Sequence, residues 1–203
     1  MASIDSQLTD SQLIREIKDG RVDYYAELIN RYERRILAFI LHMLKSYNME
    51  NLAEDLTQET FYKAFRSLQT FRDVEASFST WLYTIARNTV LSELRKSRNS
   101  EVYLEDSKQQ PARIALDKLP EQELLRTERV HLVRQAINRL PEKQRTALIL
   151  REYEQLDYKE IAMILNSTVS SVKSLLFRAR HSIKQQLEPY ILDTALDEAE
   201  GMR

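Results

Sequence analysis

Acidic side chains cluster at the start of one predicted helix, where Glu50, Glu54, Asp55 and Glu59 occur without a cation between them. Carboxylate oxygens are the ligands that Mg²⁺ prefers in proteins, so this cluster raises the hypothesis of a magnesium-dependent hydrolase or nuclease. However, no facing set of ligands accompanies these acids. Acids in a first turn also interact favourably with the helix dipole while they remain solvated. We therefore favour a solvated or protein-docking surface over a catalytic site.

Metal or thiol chemistry has no other candidate in the sequence. The chain contains no cysteine, which excludes disulfides, thiolate metal ligands and cysteine nucleophiles. The three histidines, His42, His131 and His181, are far apart in sequence and lack the spacing of metal ligands. The sequence thus predicts no metal, no cofactor and no catalytic residue, and we expect a protein that is not an enzyme.

A second charged cluster has the opposite sign. From Val169 to Leu187 the sequence carries four cations and no anion, although the whole chain has a net charge of −1. Apolar residues recur here at helical spacing and predict one buried side, which leaves serines and cations for the other. Short hydroxyl side chains permit close approach to base edges, while cations bind phosphates. The predicted outer face contains Ser170, Ser171, Lys173, Ser174, Phe177, Arg178, Arg180 and His181.

This basic helix follows another amphipathic segment after a very short break. Asn166, Ser167 and Thr168 separate it from the apolar stripe of residues 158–165. A break of this length joins the two helices of a helix-turn-helix, and Thr168 suits the N-cap of the second helix. The pattern favours a duplex-DNA reader, whereas the alternative is an ordinary helix pair with a solvated basic face.

These candidate sites require a scaffold of helices. Only two glycines and four prolines among 203 residues, with 43% hydrophobic and 30% charged residues, predict an all-α protein with enough apolar side chains for two cores. Periodicity and capping signals place the helices upstream of the pair. They are predicted from a cap at Asp10 or Ser11 to Asp19, over Val22–Ser46 and Asn51–Thr70, from a cap at Ser79 or Thr80 to Arg98, and over Glu121–Arg139 and Glu142–Glu154.

A polar stretch without periodicity divides the chain into two helical domains. We predict a first domain over residues 1–98, a flexible linker over 99–119, a second domain over 120–187 and an acidic tail over 188–203, with Pro189 ending the last helix. A linker of about 20 residues spans at most roughly 70 Å. No apolar run reaches the ~18 residues that cross a bilayer, and no signal peptide is recognised, so we expect a soluble, cytoplasmic protein without membrane insertion.

The helix predicted to begin near Ser79 has a basic outer side of its own. Its inward stripe is predicted to contain Trp81, Leu82, Ile85, Ala86 and Leu94. Its outward set is predicted to contain Arg87, Asn88, Arg95, Lys96 and Arg98. The segment before it, "FRDVEASF" over Phe71–Phe78, is predicted to be a loop.

Two segments resemble one bacterial protein family. "LPEKQRTALILREYEQLDYKEIAMIL", with the basic helix that follows, resembles region 4 of extracytoplasmic-function (ECF) sigma factors of the sigma-70 family. "AEDLTQETFYKAFRSLQTFRDVEASFSTWLYTIARNTVLSELRKSR" resembles region 2 of the same group, and the order of the two is the family's own. The chain departs from the family at Ser170, where glycine is usual, and at Leu175, where arginine is usual. We expect the second departure to remove one phosphate or base contact.

The resemblance implies both a fold and a function. The fold would be a region 2 helical bundle and a region 4 helix-turn-helix. The function would be that of an alternative sigma factor, which binds core RNA polymerase through the beta-prime clamp helices and the beta subunit and directs initiation through promoter −10 and −35 elements. A cognate anti-sigma factor, often membrane-anchored, would hold it inactive. The alternative is a conventional helix-turn-helix regulator, which leaves Ala53–Arg98 unexplained.

The resemblance also implies site residues by position. Binding of core polymerase is expected at Asp55, Gln58 and Glu59. Binding of the −10 element, with a flipped base held by the loop, is expected at Phe71, Arg72, Phe78, Arg87, Asn88, Arg95, Lys96 and Arg98. Binding of the −35 element is expected at Ser170, Ser171, Lys173, Ser174, Phe177, Arg178 and Arg180.

Overall fold

The described part of the chain is built from helices. The computed structural model describes residues 8–101 and 121–200, with side chains described at 8–97 and 130–190. No strand occurs in these ranges, so the predicted all-α class is confirmed. Short 3-10 turns precede α2 and flank α3. The α-helices are α1 (Asp10–Lys18), α2 (Tyr25–Leu44), α3 (Ala53–Ser67), α4 (Phe78–Glu101), α5 (Glu121–Asn138), α6 (Glu142–Glu152), α7 (Tyr158–Ile164) and α8 (Val169–Glu200).

Two helices begin earlier than the sequence predicted. The hydroxyl of Thr9 accepts a hydrogen bond from the Gln12 amide at 3.3 Å, and the Gln12 side chain accepts one from the Thr9 amide at 2.8 Å, which makes a capping box for α1. At α4 the hydroxyl of Ser77 accepts a hydrogen bond from the Thr80 amide at 3.2 Å. Each cap therefore lies before the predicted one, because neighbouring hydroxyl and carboxyl residues compete for the same position.

The end of α1 agrees with the prediction. Gly20 has a φ of +99°, a left-handed conformation that suits a residue without a Cβ. Its amide donates to the carbonyl of Ile17 at 3.1 Å, and the Arg21 amide donates to the carbonyl of Glu16 at 3.0 Å. This pair of bonds is a Schellman motif, so the predicted stop at Gly20 is confirmed.

The break between α7 and α8 is a tight helix-turn-helix connection. Asn166 takes the left-handed conformation with a φ of 46°, and the Ser167 amide donates to the carbonyl of Ala162 at 2.9 Å. The Thr168 hydroxyl then accepts a hydrogen bond from the Ser171 amide at 3.1 Å. The predicted cap at Thr168 is confirmed, and four residues, 165–168, separate the end of α7 from the start of α8.

Helix α8 is longer than predicted. It continues through Pro189 to Glu200, so the predicted end at Pro189 is wrong. A proline removes one backbone hydrogen bond, and the bonds on either side of it keep the helical path. Helix α4 likewise extends to Glu101, three residues into the predicted linker. Residues 102–120 lie outside the described residues, and the predicted domain boundaries stay predictions.

We call α1–α4 the region 2 bundle and α5–α8 the region 4 bundle, after the regions that their sequences resemble. Each bundle buries apolar stripes of the kind that the periodicity predicted. In α8, Val172, Leu176 and Ala179 are buried, and each large aliphatic side chain so buried contributes roughly 1.5–3 kcal/mol. In the region 2 bundle the rings of Phe39 and Tyr83 meet edge to face at 5.3 Å. Its fully buried large side chains are Leu13, Leu28, Ile36, Phe39, Ile40, Met43, Leu44, Leu68, Leu82 and Tyr83.

The two bundles pack against each other, a contact that the sequence did not predict. Helix α2 contacts α6, and α4 contacts α7. The ring of His42 lies 4.4 Å from that of Tyr153. The hydroxyl of Thr146 lies 3.2 Å from the sulfur of Met43. Side chains from both bundles thus belong to one continuous apolar cluster.

Candidate nucleic-acid interfaces

The outer face of α8 presents short hydroxyl groups and cations together. Ser170, Lys173, Ser174 and Arg178 are exposed, while Ser171 is half-buried. Because α7 and α6 pack against the opposite side of α8, this face is directed away from the region 4 core. The N-terminal half of the helix therefore combines closely approachable positions with cations, as insertion into a major groove requires.

The side chains on this face are held in place by local contacts. The Arg178 guanidinium donates to the carbonyl of Ser174 at 3.2 Å, and the Ser174 hydroxyl donates to the carbonyl of Ser170 at 3.1 Å. Phe177 is 72% exposed, and its ring is parallel to that of His181 at 6.2 Å. A large apolar ring in the centre of a basic face suits contact with a partner surface that is itself partly apolar, such as the edge of a base.

Arg180 differs from the other cations of α8. Its guanidinium donates to the carboxylate of Glu152 at 2.8 Å, and this hydrogen bond holds the pKa of Arg180 above its usual value. The pair is about half exposed, so its net stabilisation is small. To bind a phosphate of the predicted duplex DNA, the Arg180 guanidinium would therefore have to give up its pairing with Glu152.

The acidic turn at the start of α3 is presented to solvent. Glu54, Asp55 and Gln58 are exposed, whereas Glu59 is half-buried and pairs with Lys63 at 2.7 Å. Two of the three side chains predicted for docking, Asp55 and Gln58, therefore project from one open face. Acids at the start of a helix are also stabilised by its dipole, which needs no partner.

An apolar groove adjoins this turn, and it was not predicted from the sequence. Gln58 lines the groove together with exposed Tyr62 and with Phe65, which is 40% exposed. Of the two phenylalanines of α3, Phe61 is buried, whereas Phe65 is exposed in the groove. The remaining lining residues come from α2, from α3 and from the turn before α2: Val22, Asp23, Tyr25, Ala26, Ile29, Glu33, Thr57 and Phe61. The signal for this groove in the sequence was the pair of aromatic residues Tyr62 and Phe65, which stand three positions apart on α3.

The loop before α4 is fixed at both ends and exposed between them. Phe71 and Phe78 are buried, and their rings lie 4.9 Å and 5.8 Å from the ring of Trp81. Both were predicted as DNA contacts, but their burial makes them supports beneath the loop, with Trp81 partly buried beside them. Between them, residues 72–77 form a turn in which Arg72 is exposed and Val74 is 93% exposed.

The residues predicted for the outer side of α4 differ in their exposure. Asn88, Arg95 and Lys96 are exposed as predicted, and Lys96 also binds Glu93 at 2.9 Å. Arg87 is only 8% exposed, which corrects its predicted outward position. The side chain of Arg98 lies outside the described side chains. The exposed members lie on α4, which begins directly after the loop.

Comparison with known proteins agrees with this geometry. The model of sigma-70 region 2 matches residues 28–100, and the model of sigma-70 region 4 matches residues 131–183. The ECF RNA polymerase sigma-E factor of Haemophilus influenzae is 36% identical over 189 residues, which are 90% of this chain and 97% of that protein. The RNA polymerase sigma-H factor of Pseudomonas aeruginosa is 37% identical over 192 residues, 92% of this chain and 97% of that protein.

The chain belongs to the sigma-70 family, in its ECF group.

Solved structures show the same fold. The sigma factor RpoE of Bartonella quintana, crystallised in complex with the anti-sigma factor NepR, aligns with a TM-score of 0.59 and 26% identity over 81% of this chain and 96% of that chain. CnrH, solved in complex with the cytosolic domain of CnrY, aligns with a TM-score of 0.61 and 20% identity over 87% of this chain and 96% of that chain.

In this sigma factor, Arg87 is held by the opposite bundle. Its guanidinium makes three hydrogen bonds of 3.0–3.2 Å to the two carboxylate oxygens of Glu142 at the start of α6. Bidentate pairing of this kind is the geometry in which arginine also binds phosphate. Glu142 thus occupies donors of the Arg87 guanidinium that are no longer free for another anion.

Two more carboxylates of the region 4 bundle accept hydrogen bonds from side chains of the region 2 bundle. Glu154 accepts hydrogen bonds from the Tyr83 hydroxyl and from Arg35, the latter at 3.2 Å. Burial, together with the bond to Glu154, raises the pKa of Tyr83 above its usual value. Glu160 accepts a hydrogen bond from the Thr80 hydroxyl at 3.2 Å. We call Glu142, Glu154 and Glu160 the acidic cover.

Leu175 changes the interpretation of a departure from the family pattern. The family pattern led us to expect that Leu175 replaces an arginine that contacts DNA, but Leu175 is only 8% exposed and faces the core. A leucine here adds apolar contact to α8, which packs against α5 as well as α6 and α7. The departure therefore affects packing first, because a buried side chain cannot reach the groove.

No group of three or more potential metal ligands occurs among the described residues. His42 contacts the Ala38 carbonyl at 2.7 Å, and His131 contacts Gln135 at 2.7 Å. Within the same residues, no helix is long and apolar enough to cross a membrane.

Proposed function

We propose that this sigma factor joins core RNA polymerase and directs it to a set of promoters through separate −35 and −10 surfaces. The observation that carries the proposal is the exposed serine and cation face of α8, on a bundle distinct from the one that carries the exposed loop and α4. A single chain with two different nucleic-acid surfaces suits an initiation factor better than a duplex-only regulator. Phosphodiester chemistry then belongs to the polymerase, and this chain is a non-catalytic subunit.

The −35 element would be read as duplex DNA by α8. Ser170 and Ser174 would approach base edges, with Ser171 at the rim, while Lys173 and Arg178 bind flanking phosphates. Phe177 offers apolar contact with a thymine methyl group. Arg180 would contribute after release from Glu152, so we expect it to add less to affinity than the other two cations.

The −10 element would be bound as a separated strand by the region 2 bundle. The loop over residues 72–77 would receive a flipped base, and Asn88, Arg95, Lys96 and Arg98 would follow the strand along α4. Such sites combine apolar or aromatic walls with a cationic path for the backbone. At the loop, exposed Val74 would supply the apolar wall and exposed Arg72 the cation. Phe71 and Phe78 would act by supporting the loop from beneath.

Core polymerase would dock on the acidic turn of α3 and on the groove beside it. Asp55, Gln58 and Glu59 would supply complementary charge to the beta-prime clamp helices, and Tyr62 and Phe65 would supply the apolar contact. Charge of this kind mainly accelerates encounter and sets orientation, while exposed aromatic rings supply affinity. The region 4 bundle would contact the beta subunit.

Binding of both promoter elements requires the two bundles to separate. Elements at −10 and −35 lie about 25 base pairs apart, which is roughly 85 Å of duplex at ~3.4 Å per base pair. A compact chain of about 200 residues has a radius of gyration of only ~17 Å. The packed arrangement would therefore be a resting form, in which the α8 face is open and the acidic cover occupies Arg87.

An anti-sigma factor is the expected regulatory partner. The similar RpoE of Bartonella quintana is in complex with the anti-sigma factor NepR, and the resemblance implies a comparable partner here. Such a partner, membrane-anchored or not, would act in the cytoplasm, where polymerase is found. No cofactor is required for any of these steps.

Transcription in vitro tests the proposal. Purified core polymerase is mixed with the chain and with genomic fragments, and the 5′ ends of the transcripts are sequenced. The proposal requires discrete start sites that share −35 and −10 sequences and that disappear when the chain is left out. Duplex binding without any new start site would instead support the helix-turn-helix regulator.

A further inference from the structure

Helix α1 lies outside the residues that the region 2 model matches, yet it packs against the loop before α4. The matched residues begin at 28, ten positions after the end of α1 at Lys18. Leu13, Ile14 and Ile17 are buried and attach α1 to the bundle. The position of α1 is thus fixed by apolar packing, which leaves its polar side chains available for another purpose.

The C-terminal end of α1 holds the first residue of the loop. The ammonium group of Lys18 donates a hydrogen bond to the carbonyl of Phe71 at 2.6 Å, and it lies 6.0 Å from the centre of the Phe71 ring. The Schellman motif at Gly20 ends the helix directly after Lys18 and so fixes the lysine backbone. Charge-assisted hydrogen bonds are roughly twice as strong as neutral ones, so this bond restrains the loop's starting point.

The N-terminal end of α1 reaches the last residue of the loop through α2. Asp10 accepts hydrogen bonds from Arg31 at 3.0 Å and from the hydroxyl of Tyr32. The ring of Tyr32 then meets the ring of Phe78 edge to face at 5.4 Å. Both ends of the exposed loop, Phe71 and Phe78, are therefore restrained by contacts that begin at α1.

We infer that α1 is a positioning element for the loop and that Lys18 is its positioning residue. Restraint of both ends lowers the conformational entropy that the six residues 72–77 lose when they bind a partner. Lys18 need not touch nucleic acid for this, because it acts through the Phe71 carbonyl. The consequence for strand separation rests on the proposed function, whereas the effect on the loop does not.

Loop mobility is measured first, in the full chain without DNA. Because the chain has no cysteine, Val74→Cys accepts a single nitroxide label at the loop tip. Lys18→Met is expected to increase the mobile component of the electron paramagnetic resonance spectrum. Lys18→Arg is expected to restore the spectrum, since a guanidinium also donates to a carbonyl. An unchanged spectrum for Lys18→Met in a folded protein would overturn the inference.

Strand separation is measured second, with core polymerase and unlabelled proteins. Lys18→Met is expected to slow opening of the −10 region about tenfold, as judged by a fluorescent base analogue, without changing affinity for a −35 duplex. Arg15→Met is the matched control, because Arg15 is an exposed cation one turn earlier on α1. Equal losses in the two variants would mean that α1 acts through charge, which would overturn a positioning role.

The two measurements separate the inference from the proposed function. A mobile loop in Lys18→Met together with no transcription from the wild-type chain would support the inference and reject the proposed function. A mobile loop with normal opening would overturn the claim that loop position matters for strand separation.

Discussion

The two bundles present their proposed nucleic-acid surfaces in opposite ways. The region 4 bundle offers one face of a rigid helix, in which Lys173, Ser174 and Arg178 are already exposed. The region 2 bundle offers a loop held at its two ends and a helix whose Arg87 is covered by Glu142. A duplex groove can be read by a preformed helix, whereas a separated strand needs a surface that becomes complete only when the strand is available. If the proposed assignments hold, the −35 surface is ready in the packed form and the −10 surface is not.

The largest effect is expected for binding of core polymerase, which we propose docks on the region 2 bundle through the acidic turn. Asp55→Lys with Glu59→Lys should weaken core binding about a hundredfold, because like charges then face each other. Helicity should be unchanged, since Asp55 is exposed and Glu59 pairs only with its neighbour Lys63. A pull-down with core measures the affinity.

Glu188→Lys is the control for this docking experiment, because Glu188 is an exposed acid on α8. It reverses one charge on the other bundle and should leave core affinity within about twofold. If the α3 variant and the control behave alike, the acidic turn is not the docking site.

The next effect concerns the open surface of α8. Lys173→Ala with Arg178→Ala should lower the affinity for a −35 duplex and reduce the slope of its logarithm against the logarithm of salt by about 1.8, the value for two phosphates. Arg180→Ala should change the slope less, because Arg180 already pairs with Glu152. Fluorescence anisotropy over a salt series measures both, and an unchanged slope in the double variant would remove these cations from the interface.

A smaller effect is expected for the covered surface. Glu142→Gln with Glu154→Gln should raise the affinity of the free protein for a single-stranded −10 oligonucleotide about fivefold, by favouring separated bundles. Glu27→Gln removes an acid that pairs within the region 2 bundle, with Arg31, and should have no such effect. High salt should also favour separated bundles in the wild type, because screening weakens the acidic cover. A distance between labels on the two bundles measures this effect, since salt by itself lowers the affinity for the oligonucleotide.

Unchanged oligonucleotide binding in the Glu142 and Glu154 variant would mean that the acidic cover does not limit access to the −10 surface. A distance measured between labels on the two bundles would then show whether they had separated at all. If the bundles separate without a gain in affinity, the two surfaces differ in exposure but the acidic cover does not control binding of the oligonucleotide.

The smallest effect concerns alkaline stability. Burial raises the pKa of Tyr25, Tyr32 and Tyr83, all in the region 2 bundle, above the usual value. Above a pH of about 10 the unfolded chain loses these protons while the folded chain keeps them, so the free energy of unfolding should fall as pH rises. Urea unfolding at increasing pH measures the fall, and Tyr83→Phe should reduce it. Identical pH profiles for the variant and the wild type would contradict the role of Tyr83.

Sequence reasoning recovered most of the fold because helices depend on local signals. The stripes through Val172, Leu176 and Ala179, the stop at Gly20 and the cap at Thr168 all follow from residue spacing within one or two turns. Errors arose where several neighbouring residues could serve the same purpose, as at the caps of α1 and α4. They also arose where helices that are distant along the chain bury a ring or a charge, as with Phe71, Phe78 and Arg87.

The amino-acid sequence by itself determined the helical class, the helix-turn-helix, the basic outer face of α8 and the family, because each depends on types and spacing along one segment. Only the tertiary structure decided that Phe71 and Phe78 are buried, that Leu175 faces the core and that Lys18 reaches the Phe71 carbonyl. It alone paired Arg87 with Glu142. These outcomes depend on contacts between segments that are distant along the chain, and the burial of a charge or a ring is set by what packs against it.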